Sequence, residues 1–234
     1  SAKETIRKLI EENKDIIRKL AEKLKRLLEE SERIAEEALR LIKELLERIE
    51  RALRRVGSGI DEELLKELEK ELARLEEELK EILDRVRDLH RRLAEEIRKI
   101  LEESKKLNEE LEDRLRKDGD VEELLELLER VHATDVRLLR ELLKLLKKVH
   151  EDVVSLLERL LELLKRVLDR IVEELGRDHM VLHEYVNAAG ITIRRLAKRL
   201  KELSDRLEEK IRKIKRELDD LSARLREKIE RTRK

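Results

Sequence analysis

The sequence predicts an all-α protein, a long up-down-up-down antiparallel four-helix bundle. Apolar residues recur at three- and four-residue spacing along nearly the whole chain, the period of one helix face. Three breaks interrupt that pattern, at Gly57-Ser58-Gly59, Asp118-Gly119-Asp120 and Gly176-Arg177-Asp178. Each pairs a glycine that can close one helix with a Ser or Asp that can cap the next. Connections this short oblige neighbouring helices to run antiparallel.

The breaks divide residues 1–234 into four helices of a single bundle, at about 1–56, 60–117, 120–175 and 178–233. Each would be roughly 85 Å long at the helical rise. In the first, the inward stripe runs from Ile6 and Ile10 through Asn13, Ile17 and Leu20 to Ser31, Ile34 and Leu41. In the second it runs from Leu68 and Leu72 through Val86 and Ile97 to Ser104, Leu107 and Leu111. In the third it passes from Leu125 through His132, Asp135 and Leu139 to Leu160 and Val167. The fourth carries Leu196, Leu200, Leu203, Leu207, Ile211 and Leu218. Flanking Leu and Ile widen each stripe, as a four-helix core requires and a two-stranded seam does not.

Several of those inward positions are polar, and buried polar groups need partners. Counting along antiparallel helices brings Asn13, Ser104, His132 and Ser222 to nearly one level, with Asp135 one turn away. Ser31, His150 and Ser204 share a second level, with His90 about one turn off. This is the layout of two hydrogen-bond networks, whose value lies in penalising wrong registers and pairings. A metal or haem site is the competing reading, because His132 and Asp135 at i, i+3 could present two ligands on one face. The repeated Glu-x-x-His with facing Glu of di-metal bundles is missing, however. Leucine is also dense around both levels, where haem would need cleared space. No metal and no cofactor are expected.

Composition narrows the function further. Charged residues are 50% of the chain and hydrophobic residues 39%, with 59 Lys and Arg against 59 Asp and Glu. A zero formal net charge gives no steering toward nucleic acid or anionic membrane. Without cysteine there is no disulfide and no thiolate chemistry. No apolar run approaches the roughly 20 residues that span a bilayer, and SAKETIRKLI at the N-terminus lacks a signal-peptide core. There is no Ser-His-Asp arrangement with an elbow, no glycine-rich phosphate loop and no isolated acid pair. A non-enzymatic, soluble monomer is the expectation. Pro, Phe and Trp are absent as well. The composition resembles that of de novo designed helical proteins, with strong helix formers outside and Leu and Ile inside. Such a protein has no native address and would be cytoplasmic on recombinant expression.

One stretch breaks the uniformity. RDHMVLHEYVNAAGIT, residues 177–192, holds the only Met, the only Tyr and two of the five His. In helical register His179, Leu182, Val186 and Ala189 continue backward from Ile193 and Leu196, leaving Met180 and Ile191 facing outward. Gly190 costs about 1 kcal/mol in a helix interior, and Val181, Val186, Ile191 and Thr192 are β-branched and favour strands. Read with period two, Met180, Leu182, Glu184, Val186 and Ala188 line one face, and His179, Val181, His183, Tyr185 and Asn187 the other. The segment is able to serve as a strand yet sits in a helical pattern, and such conflicts mark functional segments.

From Arg177 and Asp178 to Gly190, Ile191 and Thr192, the stretch resembles the eleventh and last β-strand of green fluorescent protein, in the form used as a split-complementation tag. All sixteen positions agree, over about 7% of the chain, and nothing outside them resembles that barrel. The resemblance implies that residues 177–192 would bind the ten-strand fragment, complete its barrel and let its chromophore mature. It places Glu184 at the chromophore-facing position, with Met180, Leu182, Val186 and Ala188 toward the barrel interior. The surrounding bundle resembles designed latch-and-cage switches, in which a functional peptide is threaded into a helix and sequestered. That implies release on opening of the fourth helix, possible competition by a helical key peptide, and addition of the freed segment as a strand. Two other readings stay open: a bundle that carries the tag as a tolerated insert without a trigger, and a His-based metal or haem bundle using His179 and His183.

Overall fold

The computed structural model describes residues 1–56, 59–117, 119–175 and 180–234. They form four long helices packed antiparallel in a bundle: α1 (Ala2–Val56), α2 (Glu62–Arg116), α3 (Val121–Leu175) and α4 (Met180–Arg233). The helix start expected at 178, the break at Gly176-Arg177-Asp178 and the inward position of His179 lie outside the described residues, as do Gly57, Ser58 and Asp118 of the other breaks.

Local chemistry sets the helix ends. Ser1 caps α1: its Oγ accepts from the Glu4 N–H at 3.3 Å and its carbonyl from the Thr5 N–H at 3.2 Å. The Asp61 and Asp120 carbonyls accept from Leu65 and Leu124 at 2.9 and 3.0 Å, which places the two aspartates at the caps of α2 and α3. Ile60, just before Asp61, is buried. The second helix therefore opens at Glu62, two residues after the expected start at 60. Acidic residues open α1, α2 and α3, and basic residues close α1, α2 and α4, complementing the helix dipoles. The last turn of α3 has no basic residue and the described first turn of α4 has no acid.

Contacts group the chain into two compact units, because a residue on a long helix touches only what lies within a turn or two of it. The first comprises Ser1–Glu30, His90–Val149 and Leu207–Lys234; the second comprises Ser31–Leu89 and His150–Arg206. Each contains a piece of all four helices. In the first, Ile10, Leu20, Leu111, Leu125, Leu128 and Leu218 belong to one buried cluster. There the ion pairs Glu12–Lys228, Lys23–Glu217 and Glu30–Lys210 join α1 to α4 with numbers rising on one helix as they fall on the other. In the second, Ile42, Leu46, Leu68, Leu72, Leu157 and Leu164 are buried. Glu78–Arg159 and Glu71–Arg170 join α2 to α3 there with the same antiparallel sense. Among the described residues no helix is long and apolar enough to cross a membrane.

The inward stripes rotate slightly from those read off the sequence. On α1, Ala35 and Ile42 are buried while Ile34 and Leu41 are half-buried. On α2, Asn108 is buried and Leu107 is half-buried.

Candidate functional site

In the first unit the polar residues converge on a connected network. The His132 Nδ1–H donates to Asn13 Oδ1 at 2.8 Å, and His132 Nε2 accepts from the Ser222 hydroxyl at 2.9 Å. The amide oxygen of Asn13 can only accept, which fixes the Nδ1–H tautomer of a neutral imidazole. Asn13 Nδ2 donates to Asn108 Oδ1 at 3.1 Å and to Asp135 Oδ2 at 2.9 Å. Asn108 Nδ2 donates in turn to Asp135 Oδ2 at 3.1 Å and to the Ser104 carbonyl at 2.8 Å. All four helices contribute, and Asn13 reaches both α2 and α3 from α1.

Burial governs the electrostatics here. The His132 imidazole is pushed down to about 4, by burial first and by the charge of Arg226 second. Burial pushes the Asp135 carboxyl up, against hydrogen bonds from Ser104, Asn13 and Asn108 that favour its charged form. Both ends of the network are thus driven toward neutrality, which suits a core of leucine. Asn108 is the member that stripe-counting misses. It lies four residues after Ser104, on the same face, where the count through Leu107 steps three.

Ser31, His150 and Ser204, of the second level, are buried in the second unit, where His150 Nε2 and Ser204 Oγ are 2.9 Å apart. His90 is also buried and belongs to the first unit. Among the described residues no group of three or more His, Asp or Glu could hold a metal ion.

The strand-like stretch lies in the second unit. From Met180 to Thr192 it is helical, as the first turns of α4. Arg177, Asp178 and His179 lie outside the described residues, as does the Val181 side chain. Leu182, Val186 and Ala189 are buried, and Ile193 and Leu196 continue the stripe. This inward register outweighs the β-branched preferences, because propensity is weak beside a packed apolar face. The remaining side chains fit poorly. Met180, Tyr185 and Ile191 are 73%, 44% and 45% exposed, three of the five large hydrophobic side chains left at the surface among the described residues. His183 is half-buried and its Nδ1 has no hydrogen-bond partner. Glu184, Asn187, Ala188 and Thr192 are exposed, and Thr192 Oγ1 donates to the Ala188 carbonyl at 3.0 Å. An added Cβ at Gly190 would meet nothing within 4 Å.

Packing beneath the stretch is loose. Between α1 and α4 it leaves a cavity of about 380 Å³, bounded by Leu45, Ile49 and Ala52 on one side and Leu182, Val186 and Ala189 on the other. Where α4 returns to Leu196, Leu200 and Leu203, the facing α1–α4 space is only about 10 Å³. No protein-family model, no curated protein and no solved structure matches this chain.

Proposed function

We propose that the chain is a non-enzymatic cage. It holds residues 177–192 as part of a helix and withholds them, as a strand, from the ten-strand fragment of split green fluorescent protein. The observation that carries this reading is the double use of Leu182 and Val186. Both lie on the period-two face that the resemblance turns toward the barrel interior, and both are buried in the helical state. The segment cannot satisfy the bundle and the barrel at once. Opening of α4 would free it for β-augmentation, and the apparent affinity for the fragment would fall by the fraction of chains that are open. A helical key peptide that replaces part of α4 would raise that fraction. The buried network of the first unit supports the reading from the other side: it ties all four helices together, and shifting their register would strip Asn13, Asn108 and His132 of their partners and add to the one atom, Asp135 Oδ1, that already lacks one.

The test is fluorescence after mixing the protein with the ten-strand fragment, beside the free sixteen-residue peptide. A cage gives slow or little signal that recovers when α4 is weakened. Peptide-like rates in the intact protein would refute caging. Little signal after effective weakening would make the bundle a scaffold carrying an inert insert.

A further inference from the structure

We infer that the cavity beneath the strand-like segment is a binding site for a small amphipathic anion, an alkyl carboxylate or sulfate of medium chain length. We also infer that such a ligand locks the segment in place. The lining is small on both helices. On its inward face the segment supplies Val186 and Ala189 where the next two turns supply Ile193 and Leu196, with exposed Ala188 beside them, and Ala52 lines the space from α1. The two α1–α4 spaces, about 380 Å³ here and about 10 Å³ beside Leu200, differ in this respect. The larger one reaches the range of about 300–1,000 Å³ in which small-molecule pockets fall.

The chemistry of the lining names the ligand class. The floor is aliphatic. Among the described residues every charged side chain on the lining is an arginine, Arg48, Arg51 or Arg55, with no carboxylate among them. All three are exposed at the rim, and Arg51 donates only a long 3.4 Å hydrogen bond to the Glu47 carbonyl. A guanidinium is the side chain best suited to grip a carboxylate or sulfate head. An alkyl tail would fill the aliphatic floor, and Tyr185 stands beside it. The arginines span Arg48 to Arg55, roughly 10 Å of helix. That length suits one alkyl chain and is too short for a docked helix.

The site is built from both α1 and α4, so it exists only while α4 is in place. A ligand that binds one state alone shifts the equilibrium by one plus its concentration over Kd. Decanoate at ten times its Kd would therefore slow release of the segment about elevenfold. This second step rests on the caging reading; the binding step does not.

The experiment uses the full chain with decanoate below its micelle-forming concentration, read by the fluorescence and ring NMR signals of Tyr185, the only tyrosine. The expected result is saturable one-to-one binding, at least tenfold weaker for the cationic decyltrimethylammonium. Ala52→Leu, outside the segment, should abolish it by filling the space. The triple change Arg48→Gln, Arg51→Gln and Arg55→Gln should remove the preference for the anion. No saturable Tyr185 response, or equal binding of the cation, overturns the site. Complementation is then measured with and without decanoate, with the free peptide as control. Saturable binding with unchanged complementation upholds the pocket and overturns the lock. Release slowed in the parent and unaffected in Ala52→Leu establishes both.

Discussion

Leu196→Ala tests the caging argument most directly, and its effect can be worked from chain geometry. Sixteen residues span about 24 Å as a helix and roughly 53 Å as a strand. The segment is tethered on both sides, so neighbouring residues must supply the difference. Each further residue of α4 that unzips moves the anchor by about 1.5 Å and adds about 3.3 Å of chain. About six residues beyond Thr192 are then the minimum, which takes in Ile193 and Leu196. Leu196 is buried, and truncating a buried leucine costs about 2–5 kcal/mol. Taking about 3 kcal/mol, the open population rises about 150-fold. Complementation by Leu196→Ala should accelerate by that order until it meets the free-peptide rate. Leu225→Ala is the control. Leu225 is fully buried on the same helix but lies in the first unit, far beyond the residues that must unzip. It should lower global stability comparably and leave the complementation rate within about threefold, a change under ~1 kcal/mol. Equal acceleration by both substitutions would mean that the segment emerges only on global unfolding, and the local-opening argument would be refuted.

Gly190→Ala should act in the opposite direction. The new Cβ meets no atom within 4 Å, so the helix gains about 1 kcal/mol and complementation slows about fivefold, while a free peptide with the same change controls for its effect in the barrel. His132 makes stability fall with acid. Its folded value is about 4 against an ordinary 6.5, so the neutral form is retained in the fold while the unfolded chain takes up a proton. Its contribution is full above pH 6.5 and falls by up to about 3 kcal/mol as pH drops toward 4. Urea titrations should lose about one proton of pH dependence in that window in His132→Gln, and an unchanged slope would exclude this assignment. Glu50 on α1 has the reverse sign. Burial, and then the hydrogen bond and charge of Glu76 on α2, push its carboxyl up to about 7. Its contribution is therefore lost as pH rises through 7. Glu50→Gln should stabilise by about 1–2 kcal/mol at pH 8, allowing for solvent screening, and by almost nothing at pH 4.5, as read by denaturant midpoints.

Most of the fold was legible because helix breaks and apolar period are local signals. Asp120 caps α3 within the break that the sequence marked, while α2 is capped by Asp61, two residues past the first break, and α1 by Ser1. The inward register of Leu182, Val186 and Ala189 followed from extending the stripe back from Ile193, despite β-branched neighbours. Asn108 was missed because helical period allows steps of three or four, and Leu107 offered the more apolar step. A signal was nevertheless present. Asparagine forms helices poorly and occurs only at three positions, Asn13, Asn108 and Asn187. One in mid-helix four residues from Ser104 calls for a buried partner. The cavity was not legible at all. Small residues at Ala52, Ala188 and Ala189 lie on different helices or on positions that alternate under period two, and only their juxtaposition makes a void.

The two ends of α4 differ in a way that sets the direction of opening. Toward Arg233, Ser222 hydrogen-bonds His132, Lys228 pairs with Glu12 at 2.8 Å, and Arg233 pairs with Glu122 and Glu129 at 3.4 and 3.0 Å. Toward Met180, no ion pair among the described residues joins 180–198 to another helix, the first pair being Arg199–Glu37 at 3.7 Å. The same stretch carries Gly190 and lies over the cavity. Each deficit is worth about a kilocalorie or less, but all fall on one end. The helix should therefore unzip from Met180 toward Leu207 and not from Arg233. Native-state amide exchange reads this residue by residue. Amides of 184–198 should exchange through openings at least about 2 kcal/mol cheaper than those of 211–229, a ratio of roughly thirtyfold. Uniform protection along α4 would mean the helix opens only as a whole. The strand-like segment would then be held as firmly as the leucine-packed helix that follows it.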